Sequence, residues 1–471
     1  MYSWNGLPPV CQTIRMNKPL LLTVDSITRL TWRIALPMSV GMFFSTMFNV
    51  VDTLCAGWLG TDALAALSLS FPVFFVMVAV GSGISQGTTA LMANALGAGD
   101  RAEARRVFAQ SLVFTAIVAP LLSVAGLLAS PWIFRQLGAD GDYLRAVLAY
   151  MNVTLAGGIF YLLPMTLNSA LTAQGETRVF RNLLFLSLVA NVALNPLLMW
   201  GWFGLPALGV AGIALATVLI QMGGCVFMWH AAARTELMHG LRAADFRPHL
   251  AVLKRITGQA VPAALNMLTI ALGVFVITWF VKHFGKEAVA ASGIATRIEQ
   301  IVLMPAIGLN AAVLTIVGQN HGASLHHRVR EAWTTNVKIG AVLMALGGAL
   351  VWLGRDAAMR LFTHDPAVIS HGRDYLLMSS VTLAAYPILF VTVFAMQGIK
   401  RPAYGLWIGL YRQVVAPLIV FNMLAFGLGW GLWGIWWGIS LVTWSAALFA
   451  LGWGWVQIGR PPAGALSASP V

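Results

Sequence analysis

Charge is scarce in this sequence. Only 10% of its 471 residues are Asp, Glu, Lys or Arg, and 59% are hydrophobic. Soluble domains carry about 25% charged residues. Such a deficit excludes a chain whose whole surface meets water and points to one that faces lipid. Cysteine is scarcer still. Cys11, Cys55 and Cys225 are odd in number and far apart, which argues against a disulfide framework and shows no metal-ligand spacing. No G-x-x-x-x-G-K-[ST] loop occurs, so no ATP is hydrolysed on this chain. No stretch near the N-terminus reads as a cleavable signal peptide, and alternating ten-residue segments of the kind that build membrane barrels are missing.

What is there is apolar length, with a mean hydropathy of +0.79. Twelve runs reach the ~20 residues that a spanning helix needs, the first at 34–58 and the last at 432–456. Eighteen Trp and 24 Phe fit membrane interfaces. The expectation is an all-α membrane protein with twelve transmembrane helices in two pseudo-symmetric six-helix bundles. Its parts are a cytoplasmic N-terminal segment at 1–33, an N-lobe at 34–240, a cytoplasmic linker at 241–255, a C-lobe at 256–456 and a cytoplasmic tail at 457–471. An even number of spans puts both termini on one side. With that side cytoplasmic, nineteen of the 29 Lys and Arg fall inside, seven outside, and Arg297, Lys338 and Arg412 within spans. The net charge of +13 would suit a nucleic-acid binder, but these residues are scattered through short loops, so no nucleic-acid partner is expected.

The chain repeats itself. A shift of 225 residues puts Pro37 on Pro262, Gly60 on Gly285, Gly83 on Gly308, Gly97-Ala98 on Gly322-Ala323 and Arg105 on Arg330. Further along the offset is 223, and Pro164 falls on Pro387, Gln174-Gly175 on Gln397-Gly398 and Arg178 on Arg401. Both copies start on the same side, so the pseudo-twofold axis lies along the membrane normal, and rocking two such bundles alternately exposes the cleft between them.

The segment NVVDTLCAGWLGTDALAALSLS (49–70) resembles the first-helix signature of the multidrug and toxic compound extrusion (MATE) transporters. So do ALGAGD (95–100), NVALNP (191–196) followed by GVAGIALAT (209–217), and RIEQIVLMPAIGLNAA (297–312) followed by VGQNHGA (317–323). The resemblance covers nearly everything after residue 26. It implies two six-helix lobes that export small cationic amphipathic molecules in exchange for H⁺ or Na⁺ from a bacterial plasma membrane, as a monomer and without a cofactor. It also implies a cation-coupling site in the N-lobe. Asp52 matches the family's first-helix aspartate and Asn191 its neighbouring fifth-helix polar residue, and Thr217 closes the sixth-span motif. Asn195 departs from the pattern, since many prokaryotic members carry Asp there.

The residues point the same way. Of 16 acidic residues, Asp52 and Glu299 alone lie well inside spans. A carboxylate at bilayer depth costs about 2.5–3.5 kcal/mol and marks a pathway by default. With Asn at 195, Asp52 is the one deep carboxylate of the N-lobe. A hard cation such as Na⁺ favours several charged oxygen ligands, whereas a proton needs one carboxylate, so H⁺ is favoured. The seventh span carries no acid, leaving the C-lobe with Glu299. Arg297 is two residues away and faces elsewhere, and equal depth suggests an ion pair between Glu299 and Arg412.

Paired prolines, Pro37 with Pro262 and Pro164 with Pro387, are expected to kink helices that bend during transport. Flexible Met and flat aromatics suit varied ligands, and Met42, Phe74, Met267 and Met304 are candidates for the substrate cleft. Gly83-Ile84-Ser85-Gln86-Gly87 matches a serine-nucleophile pattern but lies in an apolar helix, and the nine His sit in loops or near span ends, so no enzyme is expected. The alternative is a lipid-linked precursor flippase of the same superfamily. A channel would show a filter loop, and none is seen.

Overall fold

The computed structural model describes residues 21–458. Cys11, most of the expected segment 1–33 and most of the tail lie outside them. A backbone in lipid must satisfy its own hydrogen bonds, so apolar runs of this length become helices. The first lobe comprises α1 (Ile27–Leu59), α2 (Thr61–Gly97), α3 (Arg101–Gln136), α4 (Gly141–Ala156), α5 (Gly158–Ala173), α6 (Arg178–Trp200) and α7 (Val210–Ala233). The second comprises α8 (Leu250–Val281), α9 (Lys286–Gly322), α10 (His326–Arg360), α11 (Pro366–Thr382), α12 (Ala385–Gly398), α13 (Ala403–Leu410), α14 (Ala416–Phe421) and α15 (Leu432–Gln457). Among the described residues ten helices are long and apolar enough to span, and twelve spans result when two bent pairs are each counted as one.

Those pairs are the fourth and tenth spans, equivalent in the repeat. α4 and α5 meet at 45°, and α11 and α12 at 52°. The tenth-span break falls at Leu383, four residues before Pro387, which has no N–H to bond there. The fourth-span break corrects the expectation for Pro164. It falls at Gly157, seven residues earlier, where a Cβ would lie 2.5 Å from Val218 Cγ2. That break lies at a close crossing with α7 and not at the proline. At Pro37 and Pro262 the helices α1 and α8 continue through the proline without a break. The eleventh span, α13 to α14, is not one regular helix. It contains π-helical turns at Tyr411–Val415 and Asn422–Gly427.

The lobes exchange their leading segments. Leu22, Ile27, Leu30 and Ile34 pack in a cluster with Val317, Trp333 and Val391 of the second lobe. Reciprocally, Val252 and Ile256 of α8 pack with Phe108, Leu171 and Met228 of the first. Polar bonds hold both crossings. Asn320 Nδ2 donates to Leu22 O (3.0 Å), and Arg328 Nη2 to Asp25 O (2.6 Å). Gln110 Nε2 donates to Asp245 O and Arg247 O (both 2.7 Å), and its Oε1 accepts from the His249 N–H (2.8 Å).

Glycines let the lobes touch, and they do so in twofold pairs. Gly83 faces Ala260 and Ala264, and a Cβ on it would lie 2.7 Å from the Ala264 Cβ. Its repeat partner Gly308 faces Ala35 and Ser39, the repeat partners of Ala260 and Ala264. Gly97 lies against the Gln319 backbone, with a built Cβ 2.6 Å from the carbonyl carbon, and Gly322 lies against Asn94 in the same way at 2.7 Å. The serine-like pattern at 83–87 is thus a packing motif, since Gly87 also abuts Ala260, its Cβ position 2.9 Å from that backbone N.

All these contacts lie in one half of the bundle. The end where α2, α5, α7, α9 and α12 finish carries most Lys and Arg and is called here the basic end. Among the described residues, the hydrogen bonds between lobes run from that end, as in Thr315 Oγ1 to Thr172 O (3.0 Å), to mid-helix, where Ser39 Oγ donates to Pro305 O (3.3 Å). The lobes are therefore closed at the basic end. Gly97→Ala is expected to force that closure apart, at an overpacking cost of ~1–3 kcal/mol. In a background without native cysteines, a cysteine placed at buried Thr315 should then label faster with a polar thiol reagent, and Gly322→Ala should act alike.

Candidate functional site: two buried carboxylates, one in each lobe

Asp52 lies on α1, seven residues before its last residue, Leu59, and thus towards the end opposite the basic one. Asn191 and Asn195 are one turn apart on α6, so both amides project from one face towards α1. Their Nδ2 groups converge on one oxygen, donating to Asp52 Oδ1 at 2.8 and 2.7 Å. Asp52 is 7% exposed and both asparagines are fully buried. No basic side chain forms an ion pair with Asp52 among the described residues. Hydrogen bonds to a charged group contribute about 1.5–3 kcal/mol each. Two of them are comparable with the cost of holding a carboxylate at that depth.

The amides leave a signature. Asn191 Oδ1 and Asn195 Oδ1 are buried without a hydrogen-bond partner. The two ends of an amide are nearly isosteric, and the surrounding bonds decide which faces a neighbour. The asparagines can thus present N–H groups to an ionised Asp52, or oxygens to a protonated one or to a bound cation. Thr217 lies buried on α7, but its hydroxyl donates to Ile213 O (3.1 Å) and not to Asp52. Sequence reasoning missed Cys55, one turn beyond Asp52 and in contact with Asn195, and Tyr150, within electrostatic range of Asp52. Helical spacing from Asp52 could have flagged Cys55. Nothing local flags Tyr150, which comes from another span.

In the C-lobe, Glu299 on α9 is 5% exposed. Tyr375 Oη donates to Glu299 Oε2 at 2.8 Å. The expected direct ion pair with Arg412 does not form. Tyr386 stands between, interacting with both Glu299 and Arg412, whose Cζ lies 5.6 Å from its ring centre and 5.7 Å from that of Phe390. The π-helical turn at Tyr411–Val415 carries Arg412 and packs Gln413 against Gly273, which helps explain the offset. Arg297 is exposed and stands apart. A tyrosine relay replaces a salt bridge, and the sequence signal was the rarity of Tyr, eight in the chain against 24 Phe.

The four cleft candidates are all half-buried. Met42 packs against the cluster around Leu171, and Phe74 against Tyr161 in another, with ring centres 5.6 Å apart. Met267 and Met304 join neither. Among the described residues no group of three His, Cys, Asp or Glu could hold a metal ion.

The duplicated two-lobe fold matches known proteins. The MatE family model fits residues 37–197 and again 262–424, one match per lobe. The chain belongs to the MatE family. The FAD transporter of Shewanella oneidensis is 28% identical over 392 residues, 83% of this chain and 87% of that protein. The probable multidrug resistance protein NorM of Pseudomonas aeruginosa is 28% identical over 446 residues, covering 90% and 88%. A solved outward-facing conformation of a multidrug resistance MATE transporter superposes with a TM-score of 0.87 at 25% identity, covering 94% of this chain and 98% of that one. This MatE chain is therefore a multi-pass multidrug efflux transporter and not an enzyme.

Exchanging the charges, Glu299→Arg with Arg412→Glu, should not restore the thermal stability lost in either single variant, because the two side chains do not meet. Tyr386→Phe should destabilise on its own by about 1–3 kcal/mol, the cost of leaving buried partners unsatisfied, read as a lowered Tm in detergent.

Proposed function

We propose that this protein exports amphipathic organic cations in exchange for H⁺, with Asp52 as the coupling group and the two lobes rocking about the glycine crossings. The carrying observation is a lone buried carboxylate with two neutral amide donors and no basic partner. Ionised, it accepts both N–H groups. Protonated or beside a cationic substrate, it needs them less, so proton and substrate compete for one charge. Antiport follows when the site faces each side in turn. The proton balance is simple: H⁺ bound at Asp52 from one side is released on the other when substrate cation takes its place.

The same site supports a second reading. Asn191 Oδ1, Asn195 Oδ1 and a carboxylate oxygen could face a Na⁺ ion if both amides turned over, though with a single negative charge. H⁺ is preferred because only one carboxylate is present. The Shewanella relative named for FAD makes an anionic amphiphile a further substrate to test, and lipid-linked precursor translocation stands as the alternative. The bacterial relatives support a bacterial plasma membrane, the distribution of Lys and Arg supports the basic end and both termini in the cytoplasm, and the self-contained two-lobe core supports a monomer.

Purified protein in liposomes with imposed gradients separates these readings. A pH gradient should drive efflux of a cationic dye, and Asp52→Asn should lower its rate at least tenfold. Efflux that follows a Na⁺ gradient and ignores pH would overturn the H⁺ assignment. Gradient-independent movement of FAD or of a lipid-linked sugar would replace the cation-antiport reading.

A further inference from the structure

A groove of about 1040 Å³ opens on the flank of the C-lobe, away from both carboxylates, where α8, α12, α13 and α15 meet at the basic end. Its mouth is cationic. Arg255, Lys400 and Arg401 line it, and no Asp or Glu does. Arg255 Nη1 reaches Glu103 Oε1 of the other lobe at 2.5 Å, and Arg401 bonds Gln457. Lys400 has no carboxylate partner among the described residues, and burial first, then the charge of Arg255, pull its pKa down. Such a lysine is stabilised by an incoming anion.

The walls are aromatic. Trp407, Phe449 and Trp453 are 68%, 55% and 44% exposed, so they face the hydrocarbon sideways. Tyr411 Oη and Ser445 Oγ, 3.0 Å apart, lie at the deep end, about 12 Å along the helix from the mouth at 1.5 Å per residue. Between them Tyr404 lines the groove, and its buried hydroxyl has no hydrogen-bond partner. Buried polar atoms are rarely left so.

Cations at the membrane surface, one orphan hydroxyl below them and an apolar trough below that match one kind of ligand. We propose that the groove binds one anionic phospholipid from the leaflet at the basic end. Lys400, Arg401 and Arg255 hold its phosphate, Tyr404 donates to an ester oxygen, and an acyl chain lies along Trp407, Phe449 and Trp453. Because Arg255 also makes the ion pair to Glu103, the phosphate and the first lobe compete for one guanidinium. The lipid site is thereby tied to closure of the basic end.

Native mass spectrometry of the full-length protein, titrated with phosphatidylglycerol and phosphatidylcholine of the same chains, tests this. Wild type should retain phosphatidylglycerol at least tenfold over phosphatidylcholine. Lys400→Gln with Arg401→Gln should bring the ratio towards one without changing phosphatidylcholine retention, and millimolar inorganic phosphate should not displace the lipid. A photoreactive phosphatidylglycerol added to wild type should label peptides within 396–411 or 445–457. Equal retention of the two lipids, an unchanged ratio in the double variant, or labelling confined to other segments would overturn the proposal. So would displacement by FAD or a cationic dye, which would make the groove a substrate site.

Discussion

Four close glycine crossings on a pseudo-twofold axis set the geometry of this transporter. Gly83 and Gly308 let α2 pass α8 and α9 pass α1, and Gly97 and Gly322 let the basic ends of α2 and α9 meet backbone to backbone. In lipid, helices gain little from burying apolar surface and associate by packing and polar contacts, so small residues at the crossing decide how close two backbones come. Around these crossings sit the hydrogen bonds between lobes and the exchanged segments led by Ile27 and Val252. All lie in one half of the bundle. A joint of that kind closes one end and leaves the lobes free to part about it.

The scaffold is duplicated, and the chemistry is not. The repeat partner of Asp52 is Ile277, which packs in an apolar C-lobe cluster. The partner of Glu299 is Phe74, which packs against Tyr161. Among the described residues each lobe thus has one buried acid, and the two are handled differently. Asp52 is met by two neutral amides with unpaired oxygens, a setting that tolerates a change of charge. Glu299 is met by tyrosines that lead to Arg412, a setting in which its charge is balanced. That contrast favours the N-lobe as the place where ion and substrate exchange.

Much of this was legible in sequence, for physical reasons. Apolar length reports spanning helices, and the register of Gly83 with Gly308 and Gly97 with Gly322 reports the twofold joint. Asp52 and Glu299 stood out because ionisable groups are costly at depth. Less was legible where neighbours in space decide. The bend at Gly157 lies where Val218 of another helix comes close, and proline spacing pointed to Pro164 instead. The π-helical turn that moves Arg412 leaves no composition signal, so matching depths suggested an ion pair where Tyr386 intervenes. The basic groove is assembled from 255, 400–411 and 445–453, segments far apart in the chain, and no local pattern joins them.

The most direct test of the central claim is proton release on substrate binding, measured in weakly buffered detergent solution without any gradient. At mildly acidic pH, where Asp52 carries its proton before substrate arrives, adding a cationic substrate to wild-type protein should release up to one proton per molecule bound, and Asp52→Asn should bind without release. Equal proton release from the variant, or binding to wild type with none, would contradict the assignment of Asp52 as the group that proton and substrate share.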